Sequence, residues 1–524
     1  MGFPDKVAMR HNIRIFWLFS IGFFVKFAYN FDFQIHNMIS FIISLIILTG
    51  GYFVYSKVIA KICGEDSERV TPVHTMADGV DYVKLPSWKI FLIQFLNIAG
   101  LGPIFGAIMG VMFGPAAFIW IVFGTVFAGA VHDYLSGIMS LRSNGASLPE
   151  IVGSQLGNKV KNVMRGFALI LMVLVGAVFV YNPADLLARL TPESLDILFW
   201  VGLIFIYYVA ATLLPIDKLI GKLYPLFGFA LLFMAFGVGI MLFFNYESIP
   251  EVWNEFYNHK PDPAVNPVFP MMFVSIACGA ISGFHATQSP MMARCLQNEK
   301  HARPIFYGAM VAEGIVALIW AAAAIAFTGG YDQLQDYVGG ASPAILVNNL
   351  SQSWLGKFGG FLAILGVIAA PITSGDTALR SARLIVADFM NISQKTILKR
   401  FLVSLPVFGL CFLIMLLPYD AIWRYFAWCN QVLAVFTLWT ATVWLANQRR
   451  NYYITLFPAL FMTCVTISYI IFAPEGLQGI FNNLFEREIP LYFAVGCGIA
   501  VSLGFLLMLR QYINRAVDDK LMTE

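Results

Sequence analysis

Two interrupted apolar stretches decide the fold of this 524-residue sequence: FLIQFLNIAGLGPIFGAIMG at residues 91–110 and FVSIACGAISGFHATQSPMMAR at residues 273–294. Each is long enough for a helix that crosses about 30 Å of hydrocarbon. In the first, Gly100, Gly102 and Pro103 lie near the middle, and proline removes a backbone N–H and clashes with the preceding turn. The second carries glycines, a proline and several polar side chains. We predict that both are membrane helices broken near their centres.

The composition supports a membrane protein. Hydrophobic residues make up 59% of the chain and charged residues 12%, whereas soluble domains carry about 25% charged residues. Many apolar runs are roughly 20 residues long, and an outer-membrane barrel would instead show short alternating segments. The net charge of +3 does not indicate a nucleic-acid partner. The seven cysteines have no CxxC spacing and are expected to be buried hydrophobes. The sequence therefore predicts an all-α polytopic membrane protein without a cofactor.

The apolar runs predict about thirteen transmembrane helices. Their approximate ranges are 37–60, 90–113, 115–141, 163–183, 196–214, 222–245, 268–290, 305–329, 358–380, 400–417, 421–446, 452–473 and 490–510. Most of the 33 Lys and Arg residues lie in the C-terminal tail and in the loops after odd-numbered spans. Positively charged loops stay in the cytoplasm. We therefore expect a multi-pass protein of the bacterial inner membrane with a cytoplasmic C-terminus.

The N-terminal segment 1–35 does not fit this scheme easily. It contains four basic residues, and a strict thirteen-helix topology would place them outside the cell. The apolar run from Ile15 to Val25 is short for a span, and no small-residue cleavage site follows it. It is either a fourteenth helix or an interfacial segment, and the sequence does not distinguish these alternatives.

The two broken helices lie five spans apart and therefore enter the membrane from opposite sides. Spans 2–6 and 7–11 then form the five-plus-five inverted repeat known from secondary transporters. This division gives an N-terminal segment (1–35), a first helix with its cytoplasmic loop (36–89) and a first five-helix repeat (90–245). An external loop (246–267), a second repeat (268–446), and two C-terminal helices with a cytoplasmic tail (447–524) follow.

We expect the substrate to bind between the two breaks, where unwound backbone leaves polar groups in need of partners. The half-helix that begins at Pro103 directs its positive end at the break, and such an end attracts a carboxylate. The alternative is that Gly102, Gly106 and Gly110 form a small-residue packing face. The candidate substrate-binding residues are Asn97, Gly100, Gly102, Pro103, Ser282, His285, Gln288, Asn430 and Gln431.

Three acidic residues, Asp133, Glu313 and Asp376, fall inside predicted spans, where each costs roughly 2.5–3.5 kcal/mol. They are therefore candidates for ion or proton coupling. Asp133 has the alternative of a polar helix-packing contact, and Glu313 has that of bonding neighbouring backbone. The alternative for Asp376 is a salt bridge with Arg380 and Arg383, which share its helix face.

Hydroxyl groups accompany Asp376. Thr373 and Ser374 lie beside Pro371, which frees a backbone carbonyl. Oxygen-rich surroundings suit sodium, whereas an acid within the membrane suits a proton. A sodium site at Thr373 and Ser374 and a proton carried by an acid therefore both remain open.

The chain resembles the carbon starvation protein A family of bacterial membrane transporters. The motifs that carry the resemblance are DGVDYV (78–83), NIAGLGPIFG (97–106), AGAVHDYLSG (128–137), RSNGASLPE (142–150), CGAISGFHATQSP (278–290), GAMVAEG (308–314), TSGDTALRSAR (373–383) and FAWCNQVLA (426–434). The resemblance implies uptake of peptides or pyruvate during carbon starvation, driven by protons. It also implies a core similar to the amino acid–polyamine–organocation transporter fold, in which hydroxyls of the helix corresponding to span 9 help to bind a cation.

We therefore expect a symporter that imports a small carboxylate nutrient. The alternatives are a sodium-coupled transporter of amino acids or related solutes, a channel, and a membrane-embedded enzyme or nutrient sensor. A channel would require rings of pore-lining charge, and no catalytic motif supports an enzyme. The sequence does not choose between pyruvate and peptide, or between proton and sodium, and it does not give the oligomeric state.

Overall fold

The computed structural model describes residues 38–79, 81–213, 216–245, 249–340, 342–394, 396–417, 419–486 and 488–521. The N-terminal segment 1–35, and with it the predicted choice between a fourteenth helix and an interfacial stretch, lies outside these residues. Within them, the backbone consists of helices joined by turns and short loops.

The longer helices are numbered here in chain order. They are α1 (Ile39–Cys63), α2 (Ser87–Ile98), α3 (Gly102–Val111), α4 (Ala116–Arg142), α5 (Asn158–Leu190), α6 (Ile197–Leu213), α7 (Ile216–Leu242), α8 (Gly283–Ala293), α9 (Glu299–Thr328), α10 (Pro343–Ile364), α11 (Ala370–Phe389), α12 (Ile397–Ile414), α13 (Tyr419–Asn447), α14 (Tyr453–Phe472) and α15 (Leu491–Leu521). The described residues also contain short helices at Pro72–Thr75, Leu148–Leu156, Val268–Met272, Phe273–Ser275, Tyr331–Gly340, Leu365–Ala369 and Gln478–Phe485.

Nine helices of the described residues are long and apolar enough to cross a membrane, or ten if α2 and α3 form one bent span. The protein is thus a multi-pass membrane protein. The predicted span at 196–214 falls on the shorter helix α6, and the one at 268–290 falls on a helix that is not continuous. The total of thirteen spans and the inverted repeat remain predictions.

The helices differ in how deeply they are buried. About four-fifths of the apolar window is buried in α4 (78%), α9 (78%) and α13 (83%), against 28% in α12 and 17% in α15. Because lipid tails are as apolar as leucine, the lipid-facing helices can keep large hydrophobic side chains exposed. The three buried helices therefore form the centre of the bundle, and they surround the two broken segments.

A buried carboxylate closes one end of the bundle. Glu299, at the start of α9, is fully buried, and Arg69 Nη1 donates to its Oε2 at 3.1 Å. Arg142 at the end of α4 donates to the same carboxylate and also to the carbonyls of Cys63 and Gly64, at 2.9 and 2.8 Å. A buried charge needs such pairing to be tolerated. This end carries the basic loops, and the contacts hold the loop of residues 64–86 against the bundle.

Candidate functional site

The first break separates α2 from α3, which meet at an angle of 55°. The helix ends at Ala99, whose φ of −83° and ψ of 52° leave the helical region, and α3 begins with Gly102 and Pro103. Asn97 lies one turn before the break and is 1% exposed. Neither atom of its amide has a hydrogen-bond partner in the described part of the chain. The first predicted break is therefore present, with an unsatisfied amide beside it.

The second break covers residues 276–282, before α8. Its first residue, Ile276, has a φ of −88° and a ψ of 57°, nearly the values of Ala99. Side chains of α13 replace the helical hydrogen bonds that are lost here. Asn430 Oδ1 accepts from Phe284 N at 2.7 Å and from Ser282 Oγ at 3.1 Å. Gln431 Nε2 donates to three carbonyls between 273 and 281, at 3.3–3.4 Å. Their observed partners lie in the break and in the residues directly flanking it.

The two breaks touch each other through glycines. A Cβ placed on Gly102 would lie 2.1 Å from the Cβ of Cys278. Gly106 faces the carbonyl of Ser275, where a Cβ would lie 3.1 Å away, and a Cβ on Gly110 would lie 2.1 Å from Ile276 Cγ1. These three glycines thus form the small-residue packing face that the sequence offered as an alternative. The break and the packing face occur together.

A chain of four buried ionisable groups lies beside the second break. Asp133 Oδ1 contacts His132 Nδ1 at 2.8 Å, and its Oδ2 contacts His285 Nδ1 at 2.9 Å. His285 Nε2 lies 3.4 Å from Glu313 Oε2. All four side chains are fully buried. The chain links α4, α8 and α9, and it joins two predicted coupling acids to one predicted substrate residue.

Glu313 differs from Asp133 in its surroundings. Both oxygens of Glu313 lack a hydrogen-bond partner in the described part of the chain, and His285 Nε2 is the ion-pairing contact. The alternative that Glu313 bonds neighbouring backbone is therefore wrong. Asp133 has one imidazole nitrogen at each oxygen. The polar helix-packing contact given as the alternative for Asp133 is therefore present, and both of its partners are ionisable histidines.

Of the hydroxyl groups of α11, that of Ser374 lies at the first break. Ser374 Oγ donates to the carbonyl of Leu96 at 3.2 Å. A Cβ on Gly100 would lie 3.4 Å from Ser374 Oγ. Thr373 Oγ1 donates to the carbonyl of Ala370 at 2.7 Å. Arg380 Nη2 donates to the carbonyl of Ala211 at 2.6 Å. The predicted pairing of Asp376 with the arginines remains a prediction.

The candidate residues are sealed from both surfaces. Asn97, Ser282, His285, Gln288, Thr373, Ser374, Asn430 and Gln431 are all at most 2% exposed. Gln94 Nε2 donates to Ser289 Oγ at 3.4 Å across the two broken helices, and Gln288 Nε2 donates to Thr287. Two cavities of about 630 and 510 Å³ are lined by other residues, the first mainly on α5, α13, α14 and α15 and the second on α1, α2 and α9. The described conformation is therefore closed around the breaks.

Sequence reasoning missed the four-residue chain as a unit. It selected Asp133 and Glu313 as coupling acids inside predicted spans and His285 as a substrate-binding residue, and it did not group them. Asp133 and His285 are 152 positions apart, so no local pattern reports their contact. The available signal was that each is an ionisable residue inside an apolar run, because such residues tend to pair with one another.

Comparison with known proteins identifies the family. Residues 36–199, 186–348 and 337–469 match the family model of the carbon starvation protein CstA. The chain belongs to the CstA family. The matched ranges include every candidate residue named above, so the two breaks and the buried chain lie within the region that the CstA model covers.

Several relatives are similar to this CstA-family chain over long stretches. A membrane protein of Haemophilus influenzae is 40% identical over 349 residues, which cover 57% of this chain and 94% of that protein. A peptide transporter CstA of Bacillus subtilis is 29% identical over 350 residues (55% of this chain, 58% of that protein). The pyruvate/proton symporter BtsT of Escherichia coli is 27% identical over 333 residues (51% and 46%). The match thus spans about half the length of these two transporters.

The fold of this CstA-family chain is similar to that of a solved membrane transporter. The manganese transporter of Eremococcus coleocola aligns with a TM-score of 0.53 at 12% sequence identity, over 84% of this chain and 99% of that chain. The likeness concerns the fold alone. In the described part of this chain, no group of three or more His, Cys, Asp or Glu side chains is arranged to hold a metal ion.

Proposed function

We propose that this CstA-family protein is a proton-coupled secondary transporter of the bacterial inner membrane, with a cytoplasmic C-terminus. Its substrate is a small carboxylate nutrient, pyruvate or a short peptide. The named relatives are peptide transporters and a pyruvate/proton symporter, which supports the substrate class. The observation that carries the proposal is the buried chain from His132 to Glu313, because its members can exchange protons.

Glu313 is the group that takes the proton. A buried carboxylate without hydrogen-bond donors costs free energy, and protonation removes that charge. Asp133 is in the opposite situation, since two imidazole nitrogens flank its oxygens and stabilise the ionised form. His285 lies between the two acids, and histidine can accept a proton at one nitrogen and release one from the other. The geometry therefore supports a path from Glu313 through His285 to Asp133.

Coupling to the substrate follows from the position of His285. This residue lies in the first turn of α8, directly after the second break. A substrate that binds between the breaks and shifts α8 changes the distance of 3.4 Å between His285 Nε2 and Glu313 Oε2. Proton loading and substrate binding then depend on the same helix segment. This is the requirement for a symporter, in which two ligands share a coupling free energy.

The substrate's carboxylate is bound by backbone amides at the ends of the half-helices and by the amide of Asn97. Helix N-termini favour an anion. Asn97 adds one donor and one acceptor that have no partner in the described residues. A keto acid and a peptide C-terminus both carry the carboxylate that such a site needs. Sodium remains the alternative coupling ion, supported by the hydroxyl of Ser374 at the first break.

The test uses the full chain in proteoliposomes with labelled pyruvate and dipeptides. Glu313→Gln should retain exchange of labelled for unlabelled substrate but lose accumulation driven by a pH gradient, because exchange needs no net proton movement. Glu193→Gln, a change at an exposed loop position, is the matched control and should behave as the wild type. Sodium-dependent uptake that survives Glu313→Gln would transfer the coupling role to Thr373 and Ser374. Absence of exchange with either substrate class would refute the transport proposal.

A further inference from the structure

A long apolar groove runs along the outside of the bundle, away from the breaks. It has a volume of about 630 Å³, and its walls come from α5, α13, α14 and α15. Along α13 it extends from Trp428 to Val443, a rise of about 22 Å at 1.5 Å per residue. Half of the hydrocarbon core is about 15 Å thick. The groove is therefore long enough to receive a whole acyl chain from one leaflet.

One end of the groove is polar. Gln155 and Tyr512 line it there, and Asn447 connects them, because its Nδ2 donates to Gln155 Oε1 at 3.1 Å while its Oδ1 accepts from Tyr512 OH at 2.9 Å. Tyrosine is enriched at the level of lipid headgroups. The hydrogen-bonded side chains thus mark the depth at which the apolar groove meets the membrane interface.

Exposed basic residues lie close in sequence to the residues of this polar end. On α15 the groove is lined by Phe505, Met508, Leu509 and Tyr512, at the spacing of one helix face. Arg515 follows one turn later on the same face and is exposed. Arg510, Lys159 and Arg449, each within four positions of a groove or polar-end residue, are also exposed. An apolar slot that ends in exposed positive charge complements a molecule with an apolar tail and an anionic head.

We infer that this groove is a binding site for an anionic phospholipid, with one acyl chain along α13 and the headgroup against Arg510 and Arg515. A second copy of the chain or its own segment 1–37 would also cover apolar surface. Neither of these occupants accounts for the four exposed basic residues near the Tyr512 end of the groove, whereas at the Trp428 end Arg424 is paired with Glu475 at 3.5 Å. Anionic lipids are concentrated in the cytoplasmic leaflet, and this end is the one that the basic loops place in the cytoplasm.

The experiment measures lipid retained by the purified full chain, by native mass spectrometry after exchange in nanodiscs of phosphatidylglycerol or phosphatidylcholine. The wild type should retain phosphatidylglycerol at least tenfold better than phosphatidylcholine. Val435→Trp, which fills the middle of the groove, should abolish retention of both lipids. Leu405→Trp, at an exposed position of α12, is its control and should retain lipid as the wild type does.

The charge half of the inference is tested by a double variant, Arg510→Gln with Arg515→Gln. It should retain both lipids equally, so that the tenfold preference is lost while binding persists. Lys399→Gln, at another exposed basic position, should keep the preference. Equal retention of the two lipids by the wild type, or undiminished retention in Val435→Trp, would overturn the inference. A shift from dimer to monomer in Val435→Trp would instead assign the groove to a second copy. Increased lipid retention after deletion of residues 1–37 would assign it to that segment.

Discussion

Replacing Gly102 by alanine should reduce substrate uptake, because the added Cβ would clash with Cys278. The added Cβ would lie 2.1 Å from the Cβ and 2.3 Å from the Sγ of Cys278, whereas the Cα of Cys278 is 3.5 Å away. Overpacking of a filled interior costs about 1–3 kcal/mol. Since each 1.36 kcal/mol is tenfold in rate, we expect initial uptake to fall about five- to 150-fold if the cost falls on the transport cycle. Membrane insertion should remain normal.

The same geometry predicts a rescue. Cys278→Gly removes both atoms that clash and leaves the Cα at ordinary contact distance, so the double variant Gly102→Ala with Cys278→Gly should recover most of the uptake. Gly166→Ala is the control, because a Cβ at Gly166 meets nothing within 4 Å. Uptake of labelled substrate into proteoliposomes and the thermal unfolding midpoint are measured for each variant. Wild-type uptake in Gly102→Ala, or a double variant no better than this single one, would refute the placement of the two breaks against each other.

Three further predictions concern other parts of the molecule. Glu299→Gln should make the loop of residues 64–86 more sensitive to limited proteolysis. The substitution leaves Arg69 and Arg142 without their buried counter-charge, which lowers the stability by about 3–5 kcal/mol. Unchanged cleavage would contradict the role of this pairing. Burial raises the pKa of Glu150, but hydrogen bonds and charges from Lys161 and Arg165 outweigh it and hold the pKa below its usual value. A depressed pKa stabilises the fold above the ordinary carboxyl range, and the gain is lost as the pH falls through the lowered pKa. The thermal midpoint of the wild type should therefore fall more steeply below about pH 4.5 than that of Glu150→Gln, and parallel curves would contradict the assignment. Methyl esters of pyruvate or of a dipeptide should compete poorly for uptake, because they lack the carboxylate that helix ends attract; equal competition by ester and acid would count against that account.

The breaks could be predicted from the sequence because their cause is local. Pro103 and the neighbouring glycines disrupt a helix wherever they occur, and the backbone leaves the helical region at Ala99, just before them. The burial of Asp133, Glu313 and Asp376 could also be predicted from the sequence, because an acid within a membrane-spanning helix almost always faces the interior of the bundle.

The partners of these groups could not be predicted, because they depend on tertiary packing. Asn430 and Gln431 were expected to bind substrate, and they contact the backbone of the second break, about 150 positions away. Nothing in the run WCNQVLA specifies that distance or direction. Similarly, the sequence offered the packing face of Gly102, Gly106 and Gly110 only as an alternative to a substrate-binding break. The position of the segment 275–278 reveals that this face is present beside the break.

The amide side chains of α13 also constrain where the protein can hinge. A motion that moved the second break away from α13 would leave the backbone groups that bond Asn430 and Gln431 without hydrogen-bond partners. The bilayer interior contains no water that could replace these two side chains. That break and α13 must therefore travel as one rigid body. The glycine face of α3 offers the opposite mechanical property, because it meets the segment 275–278 through contacts that have no side chain on the α3 side. Sliding along this surface sacrifices no hydrogen bond between side chains, which makes it the natural shear plane of the molecule.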